Sequence, residues 1–199
     1  AEVARPCLSP LRKRMRMSSL PQTLADVKKG GNAQYILAEM NQLSAKLNCI
    51  REFNQYYVEE ATCAVSGPLS GVPVVIKDNI STIGMGTTAG VKALEHTTTD
   101  RDATIVRKLK AAGAIVVGKA NMPDFADYMS GSMSSGYCGV IDGFVNHPLD
   151  GQEYGRGGGS SVGVACAVAA GVAPVGIGSE TQNSIQAPCC NSGVGGGKA

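Results

Sequence analysis

Histidine is scarce in this chain of 199 residues: only His96 and His147 occur. Seven cysteines are present (Cys7, Cys49, Cys63, Cys138, Cys166, Cys189 and Cys190), none in a C-x-x-C spacing. A zinc site is therefore not expected, and an odd, scattered set of thiols does not form a disulfide framework. Free thiols in a reducing compartment, cytoplasmic or an organellar lumen, are the simpler expectation. No run of 18 or more apolar residues is present, so no membrane span is expected. Charge is also sparse. The formal net charge is only +2, which predicts no general affinity for nucleic acid or membrane.

The charge that is there is uneven. Residues 1–19 carry Arg5, Arg12, Lys13, Arg14 and Arg16 against Glu2 alone. Such a basic arm reads as a solvated terminus or as an Arg-rich organellar targeting segment. A helical segment over 20–66 follows it. Within that segment, Ile36, Met40, Leu43, Leu47 and Ile50 recur at steps of three and four, which predicts an amphipathic helix over 32–50.

From residue 67 onward the pattern changes. Val72–Ile76 is a short apolar run that reads as a buried strand, with Pro73 near its start, where a missing N–H costs least. A Gly/Thr loop spans Ser81–Gly90. Asp100–Ala112 puts Ile105, Val106, Leu109 and Ala112 on one helical face, and Gly113 suits its C-terminal cap. Ala114–Val117 reads as a second buried strand, so strand, helix and strand predict a parallel crossover in an α/β sheet. Val162–Ala170 is apolar all round, as a buried helix would be, and Val172–Ile177 reads as another buried strand. Twelve of the 26 glycines lie in the last 45 residues. That density requires positive φ angles or close backbone approach there.

Three polar spots stand against these apolar frames. Lys77 directly follows the strand Val72–Ile76. Ser160 and Ser161 end a glycine run and open the buried helix. Ser184 lies just after the strand Val172–Ile177. Each sits at the end of a buried element, where open α/β sheets build their sites. Taken singly, each also reads as a solvated lysine, a helix-capping serine or a turn serine.

Together they sit in five segments in order: GPLSGVPVVIKDNI, GMGTTAG, DATIVRKLKAAGAIVVGKANMPDFA, GGGSSVGVACAVAAG and GSETQNSIQAP. From Gly67 to Ala187 this order resembles the amidase signature family. The resemblance implies an α/β fold with a mixed β-sheet core covered by helices on both faces, the core running over 67–199. The family's members are longer, so the N-terminal part of that fold, cut short at its C-terminus, is expected here. It also implies hydrolysis of a carboxamide C–N bond through an acyl-serine, with no cofactor and no metal. Ser184 would be the nucleophile, Lys77 the base and Ser160 the bridging serine, preceded by a cis peptide bond. A serine hydroxyl needs a base to take its proton. A lysine serves as that base only if its pKa falls from about 10.4 towards about 7–8. A hydroxyl between them can both donate and accept.

Backbone N–H groups of Thr181, Gln182, Asn183 and Ser184 would face the developing oxyanion. The family often has glycine at positions 182, 183 and 162, and arginine at 186. Here Gln182, Asn183, Val162 and Gln186 stand there. Asparagine tolerates positive φ, so Asn183 suits the loop. On the substrate side, Met129, Ser134 and Tyr137 are candidates for the pocket wall, with core packing as the alternative. The S-S-G-Y-C-G stretch resembles the peptide-amidase and general amidase branches more than the tRNA-dependent amidotransferase branch. The expected partner is therefore a small-molecule or peptide amide, with no nucleic acid. An exposed sheet edge favours association with a second copy or a complementary chain. Two alternatives stay open: a catalytically inactive amidase-like interaction subunit, and a glutaminase-type amidotransferase subunit.

Overall fold

The computed structural model describes residues 33–63, 66–127, 136–155 and 158–198. The basic arm, Met129 and Ser134 lie outside the described residues. The first helix, α1, runs Ala33–Leu47. Met40 and Leu47 of its apolar stripe are buried, and Leu43 packs on the core. The helix stops short of the end its periodicity predicts. Asn48 takes a φ of 51°, turning the chain, and Ile50–Phe53 forms strand β1. A short helix α2, Tyr57–Thr62, follows.

Strand β2, Pro73–Lys77, and strand β3, Ile115–Ala120, are buried along their whole length. They pair in parallel, and helix α3, Thr104–Ala111, lies between them in the chain. That is the crossover unit the apolar pattern predicts. No acidic residue lies in the first turn of α3; Asp102 sits before it and pairs with Lys110 at 2.9 Å. Gly113 follows the helix with a φ of 93°.

The four-stranded sheet has the order β1-β3-β2-β6, where β6 is Val175–Ile177. β1 is antiparallel to β3, and β6 is parallel to β2, so the sheet is mixed. The apolar pattern predicts a buried β6, but this strand is the sheet's edge among the described residues, and Val175 is 36% exposed. A separate two-residue hairpin pairs β4, Tyr137–Cys138, with β5, Gly143–Phe144.

Side-chain alternation along a strand assigns each face its helices. Val75 belongs to a core with α1 and with α4, Val162–Ala170. Val74 and Ile76 belong to the opposite core, with Val106 and Leu109 of α3. Helices thus cover both faces. Fully burying a valine or isoleucine, as at Val74, Val75, Ile76 and Val106, contributes about 1.5–3 kcal/mol. Helix α4 is the innermost: it ends at Gly171, whose φ of 81° is left-handed, and its start is pressed against the end of β3. A Cβ on Gly163 would lie 2.3 Å from the Asn121 carbonyl oxygen, so glycine alone permits that approach. The last helix, α5, is Gln186–Ser192.

Candidate active site

The parallel strands β2, β3 and β6 end on one side of the sheet, and the polar residues gather there. Lys77 is the last residue of β2, and alternation aims it to the α4 face with Val75. Ser160 immediately precedes Ser161, which caps α4 without a side-chain hydrogen bond. Lys77 and Ser160 are both completely buried. A buried amine needs partners, and Lys77 Nζ donates to Ser160 Oγ at 2.7 Å and to the Ser179 carbonyl at 3.1 Å. The Gly159–Ser160 peptide is cis.

Ser184 follows β6 in the loop 178–185. Its residue is tied to the serine pair through the backbone: the Ser161 N–H donates to the Ser184 carbonyl at 2.9 Å. The residue is half-buried, and its hydroxyl donates to the Gln182 carbonyl at a long 3.5 Å. Among the described residues no hydrogen bond joins Ser184 Oγ to Ser160 Oγ. The structure thus joins Lys77 to Ser160 by a hydrogen bond, and joins Ser184 to the serine pair through the backbone.

Thr181, Gln182 and Asn183 are exposed. Asn183 has a φ of 59°, the left-handed region that asparagine tolerates better than most residues. None of the backbone N–H groups of Thr181, Gln182, Asn183 and Ser184 donates to an acceptor among the described residues. Tyr137 sits in the small hairpin, its hydroxyl donating to Asp142 at 2.8 Å and its ring edge-on to Phe144. It makes no hydrogen bond to Lys77, Ser160 or Ser184.

Several site residues escape a reading of the sequence. Ser179 accepts Lys77 through its carbonyl, and its hydroxyl accepts from Asn79 Nδ2 at 2.9 Å. Asn79, two residues after Lys77, was the available signal. Glu180 holds the Ser184 loop closed. Its carboxylate accepts the N–H of Ile185 at 2.6 Å and of Gln186 at 3.0 Å, and the Gln186 side-chain amide at 3.2 Å. The backbone N–H of Gln186, then that of Ile185, holds its carboxyl below the usual range. Its signal was a lone acid four residues before Ser184. Lys198 Nζ lies 3.6 Å from Glu180 and donates to the Thr181 carbonyl at 3.4 Å.

Beside the site, an open groove of about 600 Å³ runs along β6, lined by α4, Ile185, Cys189 and residues 194–198. Lys77, Ser160 and Ser184 are not among its lining residues. No described helix is long and apolar enough to cross a membrane.

The chain is similar to known proteins in sequence and in fold. A glutamyl-tRNA(Gln) amidotransferase subunit of Symbiobacterium thermophilum is 45% identical over 128 residues, 64% of this chain and 25% of the relative. The corresponding subunit of Deinococcus radiodurans is 41% identical over 160 residues, 76% of this chain and 31% of the relative. This chain therefore spans about a quarter to a third of the length of these curated relatives. Among solved structures, an amidase family protein from Bacillus anthracis superposes with a TM-score of 0.75 at 33% identity, covering 90% of this chain and 38% of that one. The native peptide amidase of Stenotrophomonas maltophilia gives 0.72 at 30% identity, covering 90% and 39%. Residues 33–199 match the family described as Amidase, which takes in every strand and helix named above. With that match over most of its length, and a mixed sheet that superposes on solved amidases, the chain belongs to the amidase family.

Proposed function

We propose that this chain carries the reacting groups of an enzyme that cleaves a carboxamide C–N bond through an acyl-Ser184 intermediate. The observation that carries this reading is the fully buried Lys77 amine, 2.7 Å from Ser160 Oγ, beside a serine pair whose backbone holds Ser184. Ser184 Oγ attacks the substrate carbonyl carbon. Its proton passes to Ser160, and the Ser160 proton passes to an uncharged Lys77. The carbonyl oxygen becomes an oxyanion facing the unengaged N–H groups of residues 181–184. As the C–N bond breaks, the proton returns through Ser160 to the leaving nitrogen. Water then attacks the acyl-serine, and the same relay resets the site.

A hydroxyl relay suits this geometry because each hydroxyl donates and accepts at once. The hydrogen bond of the Ser184 hydroxyl to the Gln182 carbonyl is a long 3.5 Å, so it holds that hydroxyl only weakly against a turn towards Ser160. Met129, Ser134 and Tyr137 remain the candidates for the substrate wall. The outer edge of β6, unpaired among the described residues, offers backbone groups to which a further strand could pair.

A second reading of the substrate has its own support, because relatives at 41–45% identity are amidotransferase subunits. In that reading the amide is glutamine, and the released ammonia is used by an assembly containing further subunits. Ammonia release from a peptide amide and from glutamine, measured on the intact protein, tests both readings. Turnover of one of them, lost in Ser184→Ala and Lys77→Met, is the expected result. Turnover that survives Ser184→Ala sinks the acyl-serine mechanism. A folded wild-type protein inert on both amides, by itself and with co-purifying proteins, favours an inactive scaffold.

A further inference from the structure

The structure holds a second fully buried lysine that the proposed chemistry does not use. Lys119 lies on β3 opposite Ile76, so its side chain leaves the sheet on the face away from Lys77. Its three ammonium hydrogens meet three acceptors: the Ile80 carbonyl at 2.8 Å, the Gly86 carbonyl at 2.9 Å and Thr87 Oγ1 at 3.0 Å. All three belong to the turn and loop that leave Lys77.

The same segment is held from other sides. Asp78, the residue after Lys77, is completely buried and lies 3.7 Å from Lys119. It accepts Arg51 Nε at 3.1 Å and the Thr88 hydroxyl, and its own N–H donates to the Ala120 carbonyl at 3.1 Å. Arg51 also donates to the Gly86 carbonyl at 2.9 Å and to Glu52 at 2.7 Å, while Glu52 accepts the Gly86 N–H at 3.0 Å. Two cations and two carboxylates thus balance around one loop, and Gly86 is gripped at both its N–H and its carbonyl.

We infer that Lys119 is a positioning residue for the amidase site: by tying residues 78–88 to the back of the sheet, it fixes where β2 ends and hence where the Lys77 amine points. A buried charge is tolerated only when paired and hydrogen-bonded, so moving one member of this cluster leaves another without its partner. Desolvation draws the Lys119 amine down to about 8, with the nearby Asp78 opposing that shift. At neutral pH it still carries the three protons its three acceptors use. The inference rests on the proposed role of Lys77. A misplacement of about 1 Å at a reacting group can cost about a hundredfold in rate.

The test compares wild type with Lys119→Met, which keeps the side chain's bulk, and with the milder Thr87→Val, which removes one acceptor and covers the case in which Lys119→Met does not fold. Two readouts are taken: amide hydrogen exchange by segment, and the rate of Ser184 labelling by a fluorophosphonate at rising probe concentration. The expected result is exchange about tenfold faster confined to residues 78–88, with α1 and α4 unchanged. Labelling at saturating probe slows by about tenfold or more, with the half-saturating concentration unchanged. Loop exchange equal to wild type in the folded variants overturns the inference. So does acceleration spread evenly over the chain, or a loosened loop with undiminished labelling. Wild type that takes no label sinks the catalytic reading itself and the positioning role with it; a labelled wild type with equally labelled variants sinks the positioning role alone.

Discussion

Replacing Gly163 by alanine sets two effects against each other in the helix that carries the serine pair. Helix propensity favours alanine over glycine by at most about 1 kcal/mol, the helix-interior value, and Gly163 is only the second residue of α4. Close packing opposes it. The new Cβ would lie 2.3 Å from the Asn121 carbonyl oxygen, 2.6 Å from the Cys49 carbonyl oxygen and 2.7 Å from the Asn121 nitrogen. All three are backbone atoms, and Asn121 also accepts the Gly163 N–H at 3.1 Å, so none can swing away as a side-chain tip would. Overpacking of this kind costs about 1–3 kcal/mol, and the backbone contacts place this case at the upper end. The net loss is about 2 kcal/mol. For a domain of this size each kcal/mol moves the midpoint by about 2–4 °C, so Tm falls by about 4–8 °C. Thermal unfolding followed by calorimetry reads this directly. An unchanged or raised Tm for Gly163→Ala would mean that propensity outweighs the clash and that α4 does not press on the end of β3 as described.

Other outcomes follow from the same geometry. Ser160→Ala removes the acceptor 2.7 Å from Lys77, while the Ser179 carbonyl still holds that amine; ammonia release should fall by about a hundredfold or more, with a circular dichroism spectrum matching wild type. Glu180 has a depressed folded pKa, so its contribution is present above the unfolded glutamate value of about 4.3 and is lost as pH falls through the folded value. The stability gap between wild type and Glu180→Gln, measured by urea unfolding, should therefore be full at about pH 6 and close on acidification; a gap that widens in acid contradicts the assignment. Burial pushes the Cys49 and Cys138 thiols up to about 11 and raises the Cys166 thiol well above its ordinary value, whereas Cys63 and Cys190 are exposed. Titration with a thiol reagent at about pH 8 should modify Cys63 and Cys190 in the native protein and the three buried thiols only after unfolding.

What could be read from the sequence follows a physical rule. Elements whose apolar pattern is complete within the segment were legible, such as α4, whose nine residues are apolar or small throughout, and β2, an apolar run up to its final lysine. Lys77 and Ser160 were legible because a polar residue ending such an element stands out. β1 was not: its four residues, Ile-Arg-Glu-Phe, are half charged, and Ile50 also continues the stripe of α1. Their charges make sense only once Arg51 and Glu52 are seen to grip Gly86. β6 looked buried because its residues are apolar, but burial depends on a neighbouring strand, and none pairs with its outer edge among the described residues. The Arg51–Asp78–Lys119 cluster was invisible because no local pattern links side chains that meet only through tertiary structure. The Glu180 clamp escapes for a related reason: carboxylate-to-backbone bonds leave no trace in side-chain periodicity.

The most direct test of the central claim is mass-spectrometric mapping of a fluorophosphonate adduct on the intact protein and on Lys77→Met. A single modified serine, Ser184, is expected in wild type, with labelling slowed by at least about a hundredfold when the buried amine is gone. A label on a different serine, or one that reaches Ser184 equally fast without the Lys77 amine, would contradict it.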